Sequence, residues 1–387
     1  MRICVKIIQA SSYFHPHVGG IETHVRELSY TLQELGHEVI VLCAAIPPSK
    51  SYELVNGIAV HRFPALDFPY VPYMRSLPRR IRRFSADVVH SHYPPPFIAH
   101  GVVRGLPRLP HVLTYHCDAE VPDSIASLRI PNTCRALVQQ ANERFYVRPI
   151  LRNVDQIIAT TKSYAESSAL LRGFQYRIIP NGVRLADFDA PIEGENDERR
   201  PKQILFVGRL TSVKGINYLI EAARIILRYH DDATFLIVGS GEEQSKLKAL
   251  AKGYEHRIRF CGNVSKGALV VLYKTSTVVV LPSFSRLEAF GVVLLEAMAC
   301  QTPVIASRIP GVLDVVGVGG LLVTPRDPQS IANAVIEMLE NPKKARLIGK
   351  RGRKLVEDKY DWKVVAKQIL EAYANVAESS GRPSGGL

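Results

Sequence analysis

Short apolar stretches of strand length recur along this chain of 387 residues, each followed by a segment of helical length. This alternation constrains the fold more than any other feature. Ile3–Gln9 reads as a strand, and Ile21–Leu35 then carries Ile21, Val25, Leu28, Leu32 and Leu35 at helical spacing. Gly36 stops that helix and Val39–Leu42 forms the next strand. Further strands are predicted at Val88–His90, Val112–Tyr115 and Gln156–Ala159. A second series runs Gln203–Val207, Thr234–Val238, Ile258–Phe260, Val278–Leu281 and Val304–Ala306, with helices over Ile216–Leu227, Ser245–Ala251, Gly291–Cys300, Pro328–Leu339 and Lys343–Asp358. Repeated strand–helix–strand units build parallel sheets covered by helices. The expected architecture is α/β, with two Rossmann-like doubly wound domains facing a central cleft, because ligands in such sheets bind at the strand C-termini. Residues 1–185 form the first domain and 202–360 the second. The acid-rich, Pro- and Gly-punctuated Ala186–Pro201 is read as a hinging linker. A last helix, about 361–378, is placed to pack back on the first domain, and 379–387 reads as a flexible tail.

Charge narrows the function classes. The chain holds 49 Lys and Arg against 36 Asp and Glu, a net charge of +13. Phosphorylated substrates, anionic membranes and nucleic acid all suit such a bias. No zinc finger, aromatic RNA-binding sheet or basic helical array is present, so nucleic acid is not the expected partner. The sharpest local excess is Arg75, Arg79, Arg80, Arg82 and Arg83, with no acid between Asp67 and Asp87. Leu77 and Ile81 alternate with these arginines and Phe84 follows. An amphipathic basic segment of this kind suits an anionic membrane surface on the first domain, with a solvated basic helix as the equal alternative. No apolar run reaches the length of a bilayer-spanning helix. The N-terminus runs directly into a strand, and the six cysteines are scattered without a C-x-x-C pair. These features predict a cytoplasmic protein, peripheral on the inner membrane face if the basic patch binds lipid, with its cysteines as small core residues.

Four segments carry chemistry. In Leu281–Ala306, a strand ends, a loop holds Glu288, and a helix opens at Gly291. The free N–H groups of Phe290, Gly291 and Val292 there suit a phosphate. Glu296 lies inside an otherwise apolar helical run, which favours a functional carboxylate over a casually buried one. In Phe206–Ile216, Arg209 and Lys214 flank a strand–helix turn and offer a guanidinium fork and a point charge, as a diphosphate requires; a solvated loop fits the spacing equally. Gly19-Gly20, ahead of the first helix, can cradle a phosphate or simply turn the chain. The neighbouring His15, His17 and His24 read as loop and surface histidines, and His90 and His92 as structural ones. His116 and Asp118 follow a strand end, where an imidazole can move a proton or donate to a hydroxyl. No metal-ligand spacing is evident, and Asp187-Phe188-Asp189 reads as surface acids.

In this order, the segments resemble the family-4 retaining glycosyltransferases of GT-B fold, also known as group 1. The most specific match is Glu288-Ala-Phe-Gly-x4-Glu296, followed by Gly208-Arg-Leu-x3-Lys-Gly215 and Pro180-Asn-Gly-Val183. The resemblance implies a metal-independent hexosyltransferase with a nucleotide-diphosphate sugar (GDP-mannose, UDP-glucose or UDP-N-acetylglucosamine) as co-substrate and no cofactor. The acceptor would be a hydroxyl of a lipid-linked or saccharide molecule. Arg209 and Lys214 would neutralise the diphosphate, and the N–H groups at Phe290, Gly291 and Val292 would hold the distal phosphate and sugar. Glu288 and His116 would contact the transferred hexose as the catalytic pair. Glu296 would take the ribose, the turn at Val264 the base, and Gly19 and Gly20 the phosphate from the first domain. Arg79, Arg80, Arg82 and Arg83 would face the acceptor or membrane. A sugar-nucleotide epimerase of the same fold is the alternative, and a basic nucleic-acid-binding protein a lesser one.

Overall fold

The computed structural model describes residues 4–17, 19–46, 49–68, 71–121, 124–125, 128–189 and 202–379. Residues 190–201 of the expected linker and 380–387 of the expected tail lie outside them. The chain divides into two units, Met1–Pro180 with Trp362–Leu387, and Asn181–Asp361.

The first unit is built on eight strands, β1 (Lys6–Ala10), β2 (Glu38–Ala44), β3 (Tyr52–Val55), β4 (Ile58–Phe63), β5 (Val88–Tyr93), β6 (His111–Tyr115), β7 (Gln156–Ala159) and β8 (Tyr176–Ile178). Their order in the sheet is β8-β7-β6-β5-β1-β2-β4-β3. Neighbours are parallel except at the β3–β4 edge, where Val55 and Ile58 close an antiparallel hairpin. All six residues of β5 are buried, as a strand covered on both faces requires. The helix Trp362–Ser379 completes this unit. Its Trp362, Val365, Ala366, Ile369, Ala372, Tyr373 and Val376 pack with Val25, Leu28 and Leu32 of the helix Gly20–Glu34 in one core.

The second unit has six parallel strands, β9 (Gln203–Val207), β10 (Thr234–Val238), β11 (Ile258–Gly262), β12 (Val278–Leu281), β13 (Val304–Ser307) and β14 (Gly320–Val323). They lie in the order β11-β10-β9-β12-β13-β14. In each sheet one strand marks the point where strand order reverses: β1, between β2 and β5, and β9, between β10 and β12. Such switch points open a crevice at the strand C-termini.

The unit boundary falls at Pro180–Asn181, ahead of the segment read as the linker. The reason is packing. Val183 donates its N–H to the Tyr360 carbonyl at 2.8 Å and forms a parallel bridge with Asp361. Phe188, on the short helix Ala186–Asp189, is buried in the second core. Both connections to the first unit therefore leave the second from neighbouring points. Asp187 and Asp189 are surface acids in ion pairs, with Lys266 at 2.5 Å and Arg353 at 2.8 Å.

The basic segment also differs from expectation. Leu77 and Ile81 are fully buried, against Gly101 and Gly105 of the helix Pro96–Gly105. A Cβ at Gly105 would lie 2.3 Å from the Ile81 side chain, so the glycine face of Pro96–Gly105 receives Leu77 and Ile81. The apolar side is thus spent on the core, and Arg75, Arg79, Arg80, Arg82 and Arg83 alone remain exposed. No helix among the described residues is long and apolar enough to cross a membrane.

Because Ile369 anchors a helix distant in sequence to the first core, truncating it should be costly. Ile369→Ala is expected to lose about 2–4 kcal/mol. The urea midpoint followed by fluorescence of Trp362, the chain's single tryptophan, measures this.

Candidate active site

In the second unit, the loops after β9 and β12 are bound to each other at the switch point. Gly215 adopts a left-handed φ of 68°, and a Cβ there would lie 2.2 Å from the Pro282 carbonyl oxygen. Phe284 donates its N–H to Val213 O at 3.2 Å, and the Tyr218 and Phe284 rings meet edge-on at 5.9 Å. Across this junction Lys214 forms an ion pair with Glu288, and Ser283 Oγ donates to the same carboxylate at 3.0 Å. The pair is partly buried, with side-chain exposures of 21% and 13%. Lys214 is therefore not a free cation in the absence of ligand. Arg209 is exposed and has no ion-pair partner among the described residues. One cation is available and the other is held in reserve by Glu288.

The helix Val292–Ala299 opens from Gly291, whose φ of 79° and ψ of 59° favour glycine. No backbone carbonyl accepts from the N–H groups of Phe290, Gly291 or Val292 among the described residues. The resulting donor cluster begins two residues after Glu288 in the chain. Phe290 itself is buried against Tyr360. Further along the helix, Glu296 accepts from Tyr273 Oη at 2.7 Å. Burial raises the Glu296 pKa, opposed by that hydrogen bond and by Lys266. Tyr273, fully buried, escaped the sequence reading because nothing in its helical neighbourhood marks it as polar. Val264 follows β11 after Gly262 (φ 65°) and packs half-buried on the core.

In the first unit, Gly19 is the extended N-cap of Gly20–Glu34 and Gly20 the first helical residue. The Glu22 carboxylate folds back over Gly19, its Oε2 2.2 Å from where a Cβ would stand. A carboxylate of the chain itself thus lies where an anion was expected. His116 is buried at the end of β6, with its N–H on the Tyr93 carbonyl at 2.8 Å. Its Nε2 lies 3.2 Å from His92 Nδ1. His24 is not a surface histidine: it is buried, edge-on to His116 at 4.8 Å and to Trp362 at 5.0 Å. His90 and His92, read as structural, are buried in a hydrogen-bonded group that reaches His116. Burial, and secondarily the neighbouring imidazoles, hold His90, His92 and His116 well below the ordinary imidazole range. The ring nitrogens of His24, His92 and His116 approach within 4.8 Å. That spread exceeds the roughly 3.3 Å edge that bonds of about 2.0 Å give a tetrahedral zinc site. Asp118 is fixed in place, accepting from Ser168 Oγ at 2.6 Å and taking Tyr164 Oη on its own N–H at 2.8 Å.

Residues 18–187 match the family described as Glycosyltransferase Family 4, and residues 188–355 match Glycosyl transferases group 1. An uncharacterized glycosyltransferase of Methanocaldococcus jannaschii is 31% identical over 94% of this chain and 96% of its own length. The chain belongs to the group 1, family 4 glycosyltransferases. A phosphatidyl-myo-inositol mannosyltransferase of Mycobacterium leprae is 29% identical over 94% of this chain and 95% of its own. Among solved structures, the sucrose-phosphate synthase of Thermosynechococcus elongatus superposes with a TM-score of 0.77 at 26% identity, covering 97% of this chain and all of that one. This glycosyltransferase therefore has the two Rossmann-like domains of the GT-B fold.

The two units of this glycosyltransferase should respond to pH with opposite sign. Glu296 has a raised folded pKa, so stability present below the ordinary value of 4.5 is lost as pH rises through the raised one. The buried histidines have lowered folded pKa values, so stability present above 6.5 is lost as pH falls. Trp362 fluorescence should give a lower urea midpoint at about pH 5 than at about pH 7.5. Glu296→Gln should leave that trend intact while flattening the second unit's dependence, read by hydrogen exchange of β9 and β12.

Proposed function

We propose that this glycosyltransferase moves a hexose from a nucleotide-diphosphate sugar to a hydroxyl of a lipid-linked or saccharide acceptor, with retention and without a metal ion. The observation that carries this reading is the group of N–H donors at Phe290, Gly291 and Val292 that no backbone carbonyl takes among the described residues, just after Glu288 with its Lys214 partner, while Arg209 stands exposed on the loop after β9. Donors and cations of this density suit two adjacent phosphates. The diphosphate competes with Glu288 for Lys214. As it binds, Lys214 turns to the phosphate oxygens and the Glu288 carboxylate is released to accept from hexose hydroxyls. Contacts that strengthen as the diphosphate leaves stabilise the departing charge. The acceptor hydroxyl attacks from the face that the nucleotide vacates and gives its proton to the phosphate. His116 contacts the hexose, and Glu296, partnered by Tyr273, accepts from the ribose.

A thermal-shift panel of GDP, UDP and ADP sugars, each with and without EDTA, tests the donor site. One nucleotide class should stabilise the protein, unaffected by EDTA. Arg209→Gln should weaken that ligand about tenfold, the loss of one charge-assisted hydrogen bond. Binding by none of them, or strict dependence on metal, overturns the reading. Conversion of a nucleotide sugar to its epimer without acceptor would indicate epimerase chemistry instead.

The lipid acceptor is supported by the name of the mycobacterial relative, which pairs a mannosyl group with phosphatidylinositol. It is also supported by the surface of the first unit. The helix Asn132–Asn142 buries no residue, and its Leu137 and Val138, with Phe145 about two turns beyond, are 66%, 54% and 63% exposed. Arg144, Arg148 and Arg152 are exposed just after it. The helix Pro96–Gly105 packs against both this segment and the Leu77–Arg83 segment. We assign the inserting side chains to Leu137, Val138 and Phe145, and the electrostatic attraction to Arg79, Arg80, Arg82 and Arg83. In flotation with vesicles containing about one-third phosphatidylserine, Leu137→Ser/Val138→Ser/Phe145→Ser should reduce binding at all salt concentrations. Neutralising the four arginines should reduce it chiefly at low salt. Binding unchanged by both sets rejects the membrane assignment.

A further inference from the structure

His116 is the end of a continuous chain of buried hydrogen bonds that begins on the C-terminal helix. His90 Nε2 meets Thr114 Oγ1 at 2.7 Å, and His90 Nδ1 meets Tyr373 Oη at 2.8 Å. Gln9 Nε2 donates to Tyr373 Oη at 3.2 Å. Gln9 Oε1 faces His92 Nε2 at 2.9 Å, and His92 Nδ1 faces His116 Nε2 at 3.2 Å. Every link is buried. The imidazoles are neutral, so each has one donor and one acceptor nitrogen.

One amide sets the direction of the whole chain. The Gln9 carbonyl oxygen only accepts, so His92 must carry its proton on Nε2. His92 Nδ1 is then a bare acceptor, and His116 must donate from Nε2. On the other branch, Gln9 donates to Tyr373 Oη. The tyrosine hydroxyl then donates to His90 Nδ1, and His90 Nε2–H donates to Thr114. We infer that Gln9 is a positioning residue that fixes His116 as its Nε2–H tautomer through His92, with Tyr373 holding the Gln9 amide in register. His116 is left with Nδ1 as an acceptor, so it takes a hydrogen bond from a substrate hydroxyl and does not give one. This rests on the proposed contact between His116 and the transferred hexose. His24 packs edge-on against His116, with Trp362 behind it.

The tautomer is readable in the ligand-free full-length protein by long-range ¹⁵N–¹H correlation of the histidine rings, so this test stands or fails apart from the donor panel. Wild type should show His92 and His116 protonated on Nε2. Gln9→Leu, which removes the acceptor toward His92, should release His116 into a tautomer mixture. Tyr373→Phe, which removes the acceptor for the Gln9 amide while leaving its core volume nearly unchanged, should do the same if Gln9→Leu does not fold. Gln9→Leu should also lower the turnover of nucleotide-sugar hydrolysis by up to about a hundredfold, as misplacement of a positioned group does, with little change in KM. A wild-type His116 protonated on Nδ1 or on both nitrogens overturns the inference. So does a tautomer unmoved by both Gln9→Leu and Tyr373→Phe.

Discussion

The contact between Gly215 and the Pro282 carbonyl holds the second unit's chemistry together. Without a side chain, and with a left-handed backbone that favours glycine, residue 215 lets the loop after β9 lie directly on the loop after β12. That closeness brings Lys214 from one loop to Glu288 from the other. It also fixes where the helix beginning at Val292 points its first N–H groups. Two strands adjacent in the sheet but far apart in sequence thereby deliver a cation, a carboxylate and backbone donors to one small region. Moving either loop would disperse them, whatever their side chains.

The elements themselves were largely legible because parallel strands buried on both faces must be apolar throughout. Val278–Leu281 and Gln203–Val207 were read directly from that composition, and their observed bounds agree. Glu288, Arg209 and Lys214 could be singled out as candidates as well, since strand–loop–helix junctions are where a doubly wound sheet binds ligands. What could not be read were partners. Neither periodicity nor spacing indicates that Lys214 is matched by Glu288, that Glu296 is matched by Tyr273, or that Glu22 covers Gly19. These are matters of side-chain direction after folding. The misread histidines share this cause: His24 shows an exposed-looking sequence neighbourhood, yet its helix turns it inward beside His116. The amphipathic basic segment misled differently. Its apolar face was real, but the Gly101 and Gly105 pair that receives it lies about twenty residues away.

The first unit concentrates polar side chains in its interior where the second concentrates them at loop ends. Gln9, His90, His92, Thr114 and Tyr373 all lie under the sheet or within it, and each has a hydrogen-bond partner. A buried group of this kind costs stability when incomplete and rigidifies when satisfied. It suits a surface that must present one imidazole in one orientation. The exposed Arg209, the partly buried Lys214 and the backbone amides of the second unit suit a ligand that brings its own charge.

The bond between Gln9 and Tyr373 joins positions 364 residues apart, and its consequence concerns how the protein is made. On the ribosome, β1 emerges first, yet its core cannot close until the helix Trp362–Ser379 has been synthesised. The second unit, continuous from Asn181 to Asp361, has all of its strands beforehand. Vectorial synthesis usually lets the N-terminal domain finish first. Here the order is reversed, and the nascent first half must wait, with its apolar surface incompletely covered, for the last helix to arrive.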